Sequence, residues 1–99
     1  MPHRELGKVG SYVLFENDHV RVWQNDLEPG ESTDWHRHRT SYLFVATQHG
    51  DLKIESDDGS SQASELQVGQ VVMGERDSIH QLSNVGGKRY TSVIIELKD

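Results

Sequence analysis

Two histidines one residue apart, His36 and His38, are the part of this chain best equipped for chemistry. Along an extended strand side chains alternate between faces, so both imidazoles point the same way. A third imidazole from a distant strand, His80, would complete a set of three nitrogen donors. Three neutral imidazoles suit zinc, iron(II), nickel or copper rather than magnesium or calcium. Three protein ligands leave positions open for water, substrate or O2, as in catalytic rather than structural sites. The chain contains no cysteine, which excludes thiolate ligands, disulfides and a cysteine nucleophile.

The elements that must hold these side chains read as strands and turns throughout. Residues 12–15 are a short apolar run stopped by Glu16-Asn17-Asp18. Residues 19–27 alternate, with Val20 and Val22 on one face and Arg21 and Trp23 on the other. Glu28-Pro29-Gly30-Glu31 is a strong turn signal, because proline presets φ and glycine accepts positive φ. Residues 33–46 form one or two extended pieces, and His49-Gly50 turns the chain into a strand over 51–55. The polar run 57–61 is a hairpin loop. Residues 61–67 have the makings of a single turn of helix, set against the strand signals that resume there. Gly69 interrupts 66–73, a turn at 74–77 leads into 78–82, and 89–97 is the last strand, with Val93, Ile95 and Leu97 on one face. Many short strands with turn signals every 8–12 residues indicate a β-sandwich or barrel.

Composition bounds the rest. Ninety-nine residues make one domain, 1–99. A domain this small buries only about two-thirds of its unfolded surface, and just 33% of its residues are hydrophobic. The thin core points to a dimer interface that buries more. A formal net charge of −6 with no lysine or arginine run makes nucleic acid a poor partner. No stretch approaches the ~20 apolar residues of a membrane span, and no apolar leader is visible. A soluble cytoplasmic protein is expected.

Gly30 followed after five residues by His36-Arg37-His38 resembles the first motif of the cupins, G-x5-H-x-H. Gly69, His80 and Asn84 resemble the second, G-x5-P-x-G-x2-H-x3-N, with Glu75 and Asp77 where the family has proline and glycine. The likeness runs from the Glu16-Asn17-Asp18 turn to the last strand and is similar to small single-domain bacterial cupins. It implies an all-β double-stranded β-helix, or jelly roll, of two facing antiparallel sheets, and a homodimer. It also implies one divalent transition metal (iron, nickel, zinc or manganese) held by His36, His38 and His80.

One departure matters. The family's first motif continues, after three or four intervening residues, with a glutamate ligand; here those positions hold Tyr42 and Leu43. Strand parity puts Tyr42 on the face of His36 and His38, as a catalytic group that donates a hydrogen bond to a bound ligand or coordinates as phenolate. Some cupin dioxygenases acting on thiols or diketones are similar in using three histidines. Without a carboxylate ligand the ion keeps its full charge, which favours anionic or enolisable chelating substrates. The resemblance implies a small-molecule dioxygenase, a metal-dependent isomerase or lyase, or a non-catalytic ligand-binding protein.

The neighbours have expected places. Phe44, Met73 and Ile94 line the pocket, Arg21 pairs with a substrate carboxylate if it faces inward, and Gln81 faces away from His80's side. Arg37 and Arg39 point opposite to the histidines. Asn84 bonds backbone at a strand end, Trp23 and Trp35 pack, and His3, His19 and His49 sit at the surface or in turns.

Overall fold

The computed structural model describes residues 5–98. Its strands are β1 (Tyr12–Glu16), β2 (Val20–Leu27), β3 (His36–Arg37), β4 (Tyr42–Ala46), β5 (Gly50–Ser56), β6 (Ser61–Leu66), β7 (Val71–Gly74), β8 (Ile79–Asn84) and β9 (Tyr90–Leu97), with no helix among the described residues. A five-stranded sheet has the order β1-β2-β9-β4-β7 and a four-stranded sheet the order β3-β8-β5-β6. All pairings between strands are antiparallel. The chain changes sheet at every connection except the β1–β2 and β5–β6 hairpins. This is the winding of a double-stranded β-helix, as the sequence predicts.

Residues 61–66 are strand, not a turn of helix. Gln62, Ser64 and Leu66 alternate toward the interior, and Leu66 is buried. That period of two is hidden in the sequence because two of the three inward residues are polar.

Hairpin chemistry is local. The Asn17 side-chain oxygen accepts the amides of His19 (2.8 Å) and Val20 (2.9 Å), which closes the β1–β2 turn. Asp58 does the same for Ser60 at 2.8 Å. At the β2 exit Gly30 takes a φ of +87°, open to glycine at little cost. Its amide donates to the Asn84 carbonyl at 2.9 Å, and the Asn84 amide returns a bond to Glu31. The Asn84 side chain is buried. It donates to the carbonyls of Leu27 (2.9 Å) and Lys88 (2.8 Å) and accepts the Gly86 amide. Asn84 thus ties the end of β8 to both flanking crossovers, the structural role its position suggests.

The main apolar cluster is Leu27, Ala46, Leu52, Leu66 and Tyr90. In register, Leu52 pairs with Asn84 and Ser56 with His80. The cluster therefore lies about 13 Å along the strands from His80, at ~3.3 Å per residue, and floors the interior at the opposite end. A smaller cluster, Val9, Tyr42 and Ile94, packs nearer the histidines. No helix of the described residues is long and apolar enough to cross a membrane.

Candidate metal centre

Strand pairing brings the two histidine segments together. In the β3–β8 ladder His36 lies directly opposite His80, so both side chains leave the same face. His38, two residues on, continues that face just past the end of β3. It is anchored by its amide to the Ser78 carbonyl (3.2 Å) and by its carbonyl to the Asp77 amide (2.6 Å). Asp77 holds a φ of +70°, a left-handed conformation that aspartate tolerates better than most residues. It stands at the position where the cupin motif has glycine, and the backbone keeps the glycine-like turn. Its carboxylate also pairs with Arg37 at 2.7 Å.

The three rings form one cluster. Centroids are 4.6 Å apart for His36 and His80, 4.8 Å for His36 and His38, and 5.0 Å for His38 and His80. His36 and His38 are buried at 3% and 2% exposure, and His80 is half-buried. The Nε2 atoms of His38 and His80 face each other at 3.2 Å. Two nitrogens ligating one ion at ~2.0–2.1 Å stand about 3–3.4 Å apart, so this spacing fits a shared ion as well as a shared proton. His36 Nδ1 lies 2.8 Å from the Asp34 carbonyl, which only a donor can satisfy. His36 therefore carries its proton on Nδ1 and keeps the Nε2 lone pair free, the arrangement that orients a metal-binding imidazole. His38 Nδ1 is buried without a partner.

Burial pushes the pKa of all three histidines down. That of His38 falls to about 2, with the charges of His36 and His80 adding to desolvation. That of His80 falls to about 4 from burial and His36. That of His36 is also lowered by burial, against the pull of Asp34. Neutral imidazoles are what a metal requires. These three side chains are one of two donor groups among the described residues, and no carboxylate belongs to it. Glu96 instead accepts the Trp23 indole N–H at 2.6 Å. The other group, His49, Asp51 and Glu65, is exposed.

Tyr42 reaches the cluster by a route that strand parity does not describe. β3 and β4 belong to different sheets, so alternation is broken at the crossover between them. Tyr42 faces inward from the five-stranded sheet and stacks on His38, with centroids 3.5 Å apart and ring planes 13° from parallel. Its ring lies over Gly74, its register partner on β7, where any Cβ would run into the phenol. Glycine is required there by close approach. Burial raises the Tyr42 pKa, offset in part by Ser78 beside the hydroxyl. In the metal-free protein the group is thus a neutral phenol.

A cavity of about 310 Å³ runs between the sheets and includes all three histidines in its wall. Phe44 and Ile94 line it as expected; Met73 borders it, but its side chain is 62% exposed opposite Leu43 and faces outward. Arg21 does not line it: it pairs with Glu16 at 2.9 Å and lines a separate cavity with Arg37 and Arg39. Among the described residues the wall holds no lysine, arginine, aspartate or glutamate. Gln81 turns away and donates to the Thr33 carbonyl at 3.0 Å. Arg37 and Arg39 are exposed on the outer side of the histidine strand. Trp23 packs against the second core cluster, and Trp35 lies outside the cavity wall. His19 and His49 are exposed, and His3 lies outside the described residues. Three buried polar groups of the wall were missed, Asn25 and Ser92, each 1% exposed, and Thr33 at 8%. The signal for Asn25 was present: it continues the face of Trp23 by a period of two.

No protein-family model matches the sequence, and no curated protein does. Solved structures do. A cupin domain from Bordetella pertussis Tohama I is 28% identical, with a TM-score of 0.84, over 99% of this chain and 100% of that one. A cupin superfamily protein from Desulfitobacterium hafniense DCB-2 is 24% identical, with a TM-score of 0.69, over 99% and 84%. An RmlC-like cupin family protein with a double-stranded β-helix fold from Methanocaldococcus jannaschii is 12% identical, with a TM-score of 0.70, over 93% and 94%.

Proposed function

We propose that this chain, a small cupin by fold, is a mononuclear metalloprotein whose His36, His38 and His80 hold one divalent transition ion, and that it acts on a small chelating molecule as a dioxygenase. The observation that carries this is the convergence of three neutral imidazoles on the wall of a cavity with no charged side chain. When bound, a redox-active ion would supply electron transfer between substrate and O2. The residues do the rest. Asp34 fixes the His36 tautomer through its carbonyl, and Tyr42 clamps the His38 ring by stacking. Besides the histidines, Tyr42 is the one titratable group of the wall, and its neutral hydroxyl donates a hydrogen bond to the ligand.

The same wall favours an oxygenase over an isomerase or lyase. Moving a proton on carbon calls for a positioned base with a pKa near the working pH. Here the carboxylates are absent, the histidines are committed as ligands, and the Tyr42 pKa is raised. Metal-free protein loaded with Fe(II) should consume O2 with a small β-diketone or thiol, and zinc-loaded protein should not. Metal-dependent turnover without O2 would replace this reading with the isomerase or lyase. Ligand-induced thermal stabilisation with no turnover would replace it with the binding protein.

A homodimer belongs to this proposal. Ser92 and Ile94 of β9 line the cavity, so Val93, Ile95 and Leu97 face outward. Across the ladders their neighbours are Val20, Val22, Leu43 and Val45, and Val71 and Met73 extend the row at 59% and 62% exposure. An apolar face that crosses a whole sheet is more than a monomer of this size ordinarily leaves to water. Ile95→Lys at its centre should convert a dimer to a monomer in sedimentation equilibrium with an unchanged β-sheet circular dichroism spectrum. A wild-type protein already monomeric at tens of micromolar would end this part of the reading.

A further inference from the structure

Away from the histidines the wall also carries Asn25, Gln62, Ser64, Gln70 and Ser92, of which Asn25 and Ser92 are the fully buried pair. Asn25 is 1% exposed, lines the cavity, and its Oδ1 has no hydrogen-bond partner. Leaving a buried acceptor unpaired is costly, so such a group calls for an occupant. Ser92, its register partner on β9, is equally buried and shares the wall. Ser92 pairs in turn with Ala46, four residues along β4 from Tyr42. The two ends of the cavity therefore stand about 13 Å apart along the strands. The cavity volume of about 310 Å³ bounds its occupant to a small molecule. No side chain of the wall carries a charge that could answer a charged group at the Asn25 end.

We infer that Asn25 is the distal anchor of the ligand, and that the ligand is a small molecule with a metal-chelating head and an uncharged tail ending in a hydrogen-bond donor such as a hydroxyl. The terminal hydroxyl donates to Asn25 Oδ1 and accepts from the Ser92 hydroxyl. A terminal carboxylate is rejected, because it would be desolvated without a counter-charge. This inference rests on the three-histidine metal reading and adds to it the identity of the far end.

The test uses Co(II)-loaded protein and alkyl hydroxamates with tails of three to seven carbons, ending in methyl, hydroxyl or carboxylate. Changes in the cobalt d–d absorption report chelation of the head directly, and titration gives Kd. At the best-fitting length the hydroxyl tail should bind about 2- to 12-fold tighter than the methyl tail of equal length, one neutral hydrogen bond's worth. The carboxylate tail should bind at least about 100-fold more weakly than the hydroxyl tail. In Asn25→Leu the hydroxyl advantage should fall to near one while the methyl tail still binds. If every hydroxamate perturbs the cobalt spectrum but hydroxyl and methyl tails bind alike at all lengths in the wild type, Asn25 is satisfied by water and the inference is overturned with the metal site intact. That comparison needs no variant. Failure to bind cobalt, or no spectral response to any hydroxamate, would instead remove the metal reading and this inference with it.

Discussion

Protein with His36→Ala or His38→Ala loses its transition ion on purification and binds added metal about 10²–10³-fold more weakly than the parent, while its β-sheet circular dichroism stays the same. Structural zinc sites gain on the order of 10 kcal/mol from their ligand sets, so one of three donors carries about a third of such a figure. At about 1.4 kcal/mol per decade that share is two to three decades in Kd. The fold survives because the histidines stand at the end of the interior opposite the main apolar cluster. His80→Ala should behave alike, since its Nε2 faces that of His38 at 3.2 Å. The control is His49→Ala. It removes a member of the exposed His49, Asp51 and Glu65 group and should leave the stoichiometry at one ion per chain by elemental analysis. An ion retained by His36→Ala and lost by His49→Ala would move the site to that surface group.

How the sequence encodes this centre differs from residue to residue. His36 and His38 were legible because a period of two is local and needs no knowledge of the partner strand. His80 and Asn84 were legible through spacing, and the β3–β8 ladder supplies the physical reason: it sets His36 opposite His80 and leaves Asn84 at the far end of the strand. Tyr42 arrives in the site, yet the argument from parity does not explain it. A crossover between sheets erases parity, and its length alone does not say which face the next strand presents. Arg21 shows the same limit from the other side. It does share the face of Trp23, but the end of β2 lies where Glu16 of the neighbouring strand can claim a long side chain. Asn25 was passed over for a third reason. A polar residue on an inward face reads as a fault in the pattern, and only the closed barrel shows that the fault opens onto a cavity.

The pH dependence of the metal-free protein follows from the same burial. The histidines of the centre take up protons in the unfolded chain near the ordinary 6.5. In the folded chain His80 does so only near 4 and His38 only near 2, and His36 is lowered as well. Above pH ~6.5 neither state holds these protons, and they add no slope. Below it the unfolded state binds more protons than the folded one, so stability falls as pH falls, by about 1.4 kcal/mol per unit for each histidine. The loss from His80 stops near 4, where it titrates in the fold, and that from His38 continues lower. Carboxylates with lowered pKa, such as Glu16 and Asp26 beside their arginines, act only below their own unfolded values of about 4. The window from 6.5 to 5 therefore belongs to the histidines. Two of them acting over that window remove on the order of 3–4 kcal/mol, a large part of the 5–15 kcal/mol that holds a domain together. Urea midpoints of metal-free protein should drop steeply across this window, and His38→Gln should flatten the slope by about one proton's worth. Bound zinc should hold the wild-type midpoint up until protons displace the ion. A flat profile from 6.5 to 5, or one that His38→Gln leaves unchanged, would mean that these imidazoles accept protons inside the fold and that their burial does not keep them neutral.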